Sequence, residues 1–151
     1  MSVATLAVSP APQLSQRARR LGYAGLVPFA LGALLVWLVR EDVRAEVALA
    51  LAAYAALIAS FLGGIHWGLG LQKAEAAQAS LGWGVVPALV AWPAVLMPPG
   101  AGLVILGLLL VACYAVDRRL YPPHGLAHAL TLRFRLSAAA AFSCFIGAAG
   151  A

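Results

Sequence analysis

The feature that most constrains this chain is the stretch from Ala76 to Val116, which contains no charged residue. A hydrocarbon core of about 30 Å is crossed by about 20 helical residues at 1.5 Å each. The stretch is therefore too long for one crossing and too apolar for water, and it must turn back within itself. Pro98-Pro99-Gly100 supplies the break, because proline lacks the amide donor and glycine accepts the backbone angles of a tight reversal. Further uncharged runs cover Leu21 to Val39, Val47 to Gln72 and Leu136 to Ala151. With 64% hydrophobic and 10% charged residues and a mean hydropathy of +0.94, the chain lies outside the range of soluble domains.

These runs predict an all-α integral membrane protein, a five-transmembrane-helix bundle with helices at about 20–39, 46–71, 80–97, 101–117 and 133–150, after a basic cytosolic tail over 1–19. The alternative spanning architecture, a closed barrel, does not use apolar runs of helix length. The last helix is short and alanine-rich, so Arg133 and Arg135 are expected at the interface with their stems snorkelling upward. Orientation follows from lysine and arginine. Arg17, Arg19, Arg20, Lys73, Arg118, Arg119, Arg133 and Arg135 fall on the amino-terminal side, and only Arg40 and Arg44 on the other. The positive-inside rule then gives N-in/C-out. The formal charge of +5 is a topology signal on this reading, and the scatter of the charges over separate connections excludes a nucleic-acid face. Cys113 and Cys144 fall at different depths, which disfavours a disulfide. The first 20 residues lack acids and carry three serines and three arginines, which fits a cytosolic tail or a transit peptide.

The second predicted helix is the most distinctive. Ala52, Ala56, Ser60, Gly64 and Gly68 recur at steps of four and form a small-residue ridge suited to close helix approach. His66 projects from the opposite face, with Ala55, Ala59, Gly63 and Gly70. The third predicted helix carries Trp83, Pro87, Trp92 and Pro93, and the first carries Pro28, so local bends are expected in both. Tyr23, Trp37, Tyr54, Trp92 and Tyr121 read as interfacial belt or packing residues.

His66 lies about six residues before the basic exit of its helix, or roughly 9 Å below the interface. On the same side stand Trp83, Asp117, the Arg118-Arg119 pair, Arg133 and Arg135. Three readings of His66 stay open: a packing residue bonded to a neighbouring helix, a titrating group on a proton or solute path, or a metal ligand with His124 and His128. No phosphate loop, HExxH, CxxC or histidine-carboxylate-nucleophile spacing is present, and no cofactor is implied.

Leu21-Gly-Tyr-Ala-Gly-Leu-Val-Pro28, Ser60-Phe-Leu-Gly-Gly-Ile-His-Trp-Gly-Leu69, Gly82-Trp-Gly-Val-Val-Pro87, Trp92, Asp117 and Leu132-Arg-Phe-Arg-Leu136 resemble, in order, a family of small membrane proteins catalogued as domain of unknown function 3429. The likeness covers about residues 20–140. It implies five spanning helices in a bacterial or organellar inner membrane and no established activity, with Gly63, Gly64, His66, Trp67, Trp83, Pro87, Asp117, Arg133 and Arg135 as the recurring residues. Pro122 to Ala129 departs from the family pattern, which weakens a shared metal role for His124 and His128. The leading expectation is a binding or scaffold protein of the lipid bilayer, an accessory subunit of a larger membrane complex such as a respiratory one. The alternatives are a small carrier or channel gated by His66 and, last, an enzyme acting on lipid headgroups at the arginines.

Overall fold

A computed structural model of the chain describes residues 14–72 and 77–151. The elements run α1 (Gln16–Ala24), α2 (Val27–Leu38), α3 (Glu41–Gln72), α4 (Ala77–Leu96), α5 (Pro99–Leu120), two 3-10 turns (Pro122–His124 and Ala127–Ala129) and α6 (Leu130–Gly150). There is no strand among the described residues. Four helical segments, Gln16–Leu38, Glu41–Leu71, Pro99–Leu120 and Ala127–Gly150, are long and apolar enough to cross a bilayer, and Ser80–Leu96 is a shorter apolar helix. Lys73 and Glu75 lie outside the described residues.

The first apolar run is two helices rather than one. Ser15 caps α1 through its hydroxyl, which accepts the Ala18 amide at 3.1 Å, so the helix starts ahead of the expected residue 20 and includes Arg17 and Arg19. The chain then bends at Gly25-Leu26, just ahead of Pro28, whose missing donor suits the first turn of a new helix. A bend inside a membrane frees a carbonyl that needs another partner. Tyr54 of α3 supplies it, donating its hydroxyl to the Gly25 carbonyl at 2.9 Å, while its ring meets Phe29 edge-on at 5.1 Å. Tyr54→Phe keeps the ring contact and removes the donor. A loss of about 1 kcal/mol is expected, read as a lower unfolding midpoint with unchanged helical circular dichroism.

α3 is the central element and touches α2, α4, α5 and α6. It begins five residues earlier than the apolar pattern suggests, because Glu41 and Asp42 occupy its first turn, where acids complement the helix dipole. The buried face comprises Ala48, Leu51, Ala52, Ala55, Ala59, Leu62, Gly63, His66 and Gly70. The small-residue ridge behaves differently from its expected role. Ala52 is buried, but Gly64 and Gly68 are exposed, and a β-carbon at either would meet nothing within 4 Å. A step of four residues advances about 40° around a helix. Four such steps turn the ridge through about 160°, from the packed side at Ala52 to the lipid side at Gly68. The close approach occurs on the His66 face instead. A β-carbon on Gly63 would clash with the Gly84 carbonyl of α4, and one on Gly84 with the indole of Trp67.

Met97 and Pro98 join α4 to α5, and Pro99 opens α5, two residues before the expected start because proline fits a first helical turn. Gly102 backs directly onto the Ala94 carbonyl and lets this reversal close. α6 starts at Leu130 and is tied to α2 by Trp37, whose Nε1 donates to the Ile146 carbonyl at 3.1 Å. The core runs along the whole bundle, from Phe29, Ala33 and Val36 through Leu103, Leu106 and Leu110 to Ala140, Ala141 and Cys144. Cys113 and Cys144 are free thiols, both buried.

Candidate functional site

Three helix ends meet at one end of the bundle. His66 lies about two turns before the end of α3, Asp117 in the last turn of α5 and Arg133 in the first turn of α6. His66 Nε2 lies 2.7 Å from Asp117 Oδ1. Arg133 donates Nε to Asp117 Oδ2 at 2.8 Å, and its Nη2 donates to the same oxygen. The residues are sealed in. His66 and Asp117 are each 1% exposed, and the Arg133 side chain is 12% exposed.

Physical chemistry explains why these three residues come together. An ionised carboxylate inside a bilayer is costly unless paired and hydrogen-bonded. Asp117 finds both, one oxygen on the arginine fork and the other on an imidazole N–H. This corrects the expectation that Arg133 snorkels outward. Its guanidinium turns inward because the buried carboxylate offers a stronger partner than the headgroup layer. Arg135 remains exposed and lines a separate cavity of about 330 Å³ with Arg19, Tyr23 and His128, since residues two apart on a helix face different ways.

Tyr121, a belt or packing residue by its sequence position, belongs to the site in the structure. It is 3% exposed, and its ring centroid stands 5.8 Å from that of His66 at 45°. Burial, with the Asp117 carboxylate adding to it and Arg133 opposing, pushes the phenol up to about 12. It stays a neutral donor over the working pH range. Its position four residues after Asp117 places both on one face of the chain, a signal visible in the sequence.

The remaining candidates divide. Gly63 and Pro87 are buried at the α3–α4 contact, with Pro87 Cδ 3.4 Å from where a Gly63 β-carbon would lie. Trp67 covers Gly84 from the half-exposed side. Trp83 packs against the core, and its indole N–H is buried without a partner. Gly64 faces outward, and Arg118 is exposed, lining a shallow cavity with Ala115 and Arg119. His124 Nδ1 lies 2.7 Å from its own turn at the Leu120 carbonyl. Among the described residues no group of three His, Cys, Asp or Glu side chains could hold a metal, so His66, His124 and His128 do not form a shared ligand set.

Two serines escaped the sequence reading. Ser80 and Ser137 are buried at 0% and 4% exposure, and neither hydroxyl has a hydrogen-bond partner, nor does His66 Nδ1. The Gly63–Gly84 contact between consecutive, antiparallel helices puts Ser80 about level with His66. The end of the bundle around the ion pair therefore keeps unused polar capacity, and the triad can lock three helices, pass a proton along the imidazole–carboxylate contact or present a guanidinium to an anion.

Comparison with known proteins gives two matches. The sequence profile of a family described as protein of unknown function, DUF3429, matches residues 14–149. Transmembrane protein 69 of Xenopus tropicalis is 43% identical over 95 residues, which is 58% of this chain and 37% of that relative. The matched stretch thus covers little more than a third of the relative's length. No solved structure matches the chain.

Proposed function

This chain belongs to the DUF3429 family of membrane proteins of unknown function, and from that premise we propose that it is a five-crossing scaffold subunit that docks onto a larger membrane complex. Five crossings are supported by the length of α4, whose 20 residues reach about 30 Å and pack along α3. An N-in/C-out orientation in a bacterial or organellar inner membrane is supported by the charge bias, with seven described arginines at the triad end and Arg40 and Arg44 at the other.

The observation that carries the scaffold reading is the closed His66–Asp117–Arg133 triad, which ties α3, α5 and α6 together by contacts of 2.8 Å or less with almost no exposure. Such a knot fixes helix register, the best-attested use of a buried polar group. A fixed bundle presents one surface to a partner. Extraction of native membranes in a mild detergent is expected to carry the chain into a larger assembly at constant stoichiometry. Recovery of the free chain in every mild detergent tried, with in-membrane cross-linking equally empty, would overturn the proposal.

A second reading has its own observation, the buried and unpartnered His66 Nδ1, which suits a proton path. Purified protein in sealed vesicles would then dissipate a pH gradient, and His66→Ala would abolish the flux. Vesicles as tight as protein-free ones exclude that reading and leave the scaffold reading standing.

A further inference from the structure

We propose that the groove between α1, α3 and α6 binds a long-chain carboxylate drawn laterally from the bilayer, with its head at Ser137 and Arg133 and its chain along the groove floor. The groove encloses about 200 Å³, room for roughly seven waters' worth of liquid volume at about 30 Å³ each. That holds a carboxylate and the first methylenes, with the rest of the chain lying among lipid. Its walls are apolar, including Phe29, Leu62, Leu110 and Ala140, and its polar lining is Arg133 and Ser137. Leu21 and Phe61 stand at its rim, 66% and 65% exposed, so the opening faces lipid.

Ser137 is the independent mark of a ligand. A serine inside a membrane helix ordinarily satisfies its hydroxyl by bonding back to the carbonyl four residues earlier. Ser60 does this to Ala56 and Ser143 to Ala139, both at 2.9 Å. Ser137 does not, although it is 4% exposed, and an unmade buried bond leaves the hydroxyl desolvated without compensation. One turn before it on the same helix, Arg133 spends Nε and Nη2 on Asp117. The Arg133 side chain also lines the groove. A hydroxyl donor and a guanidinium, one helical turn apart at the polar end of an apolar groove, suit an acceptor with two oxygens.

Charge selects among amphiphiles. No acid lines the groove, and the bundle end around it carries Arg17, Arg19, Arg20, Arg118, Arg119 and Arg135 besides Arg133. A cationic head would be repelled. A neutral carbonyl head would use the hydroxyl and leave the positive field unanswered. The register is that of a lipid leaflet, with the head near the interface at α6's first turns and the chain pointing deeper toward Phe29 and Ala140.

The test uses the full chain in mild detergent with a hexadecanoate bearing a diazirine on one of the first methylenes after its carboxylate, photolysed and mapped by mass spectrometry. Labels are expected to concentrate on residues 58–65 and 136–140. Hexadecanoate should displace the probe about tenfold better than its methyl ester or a long-chain alkyl benzoquinone. Ser137→Ala, which keeps the helix and small size, should cut labelling about three- to tenfold with little change in unfolding midpoint. Ala140→Leu should block the groove by filling it. Labels spread evenly over all lipid-facing helices, or Ser137→Ala labelling like wild type, would overturn the site. Equal competition by the ester or the quinone would overturn the carboxylate as its occupant.

Discussion

Asp117→Ala is expected to be the most destabilising single substitution in the protein, costing about 3–5 kcal/mol. Removing the carboxylate leaves the Arg133 guanidinium with a 12% exposed side chain and no counter-charge, and it strips His66 Nε2 of its partner as well. His66→Ala is expected to be milder, because the Arg133–Asp117 fork survives it. The double variant should cost less than the sum of the two, with a coupling of about 0.5–3 kcal/mol. The measurement is unfolding of the purified protein in mixed micelles across the four members of the cycle. An Asp117→Ala protein as stable as wild type would remove the triad as a structural lock, and the scaffold proposal with it.

The second large effect separates two adjacent glycines. Gly63→Ala forces a β-carbon into the Gly84 carbonyl of α4, and backbone cannot swing aside as a side chain can. Overpacking of this kind costs about 1–3 kcal/mol and sometimes more, so Gly63→Ala is expected at or above the top of that range. Gly84→Ala should behave alike, since its β-carbon meets the Trp67 indole. Gly64→Ala adds a methyl to open space and improves helix propensity, so it should be neutral or stabilising by up to about 1 kcal/mol. Thermal unfolding of the three variants side by side decides the matter. If Gly64→Ala proves the damaging one, the face assigned to the α3–α4 contact is wrong.

Much of the site could be read from the sequence because chemistry restricted it. A carboxylate at the end of an apolar run needs a partner, and His66 and Arg133 were among the few groups at the same depth. Which arginine took the role could not be read, since Arg133 and Arg135 differ only in the direction each faces, and that depends on how α6 is rotated against α5. Ser137 was hidden for a related reason. A helical serine usually satisfies itself locally, and its lack of a bond shows only when its surroundings are known. The ridge from Ala52 to Gly68 has equal spacing but no constant face, because the helix turns steadily beneath it.

What the sequence alone determined is the medium and the elements. Long uncharged runs exclude water as solvent for them, backbone groups in lipid must bond within their own helix, and Pro98-Pro99-Gly100 divides the longest run in two. Those are local demands, satisfied residue by residue. What only the tertiary structure decided is which faces meet: Gly63 against Gly84 rather than Gly64 against a neighbour, Arg133 on Asp117 rather than in the headgroups, Tyr54 on the bend at Gly25. Lipid is as apolar as the helix surfaces, so hydrophobicity does not say which side turns inward. Close packing and the few buried polar groups make that choice, and both exist only once the helices are side by side.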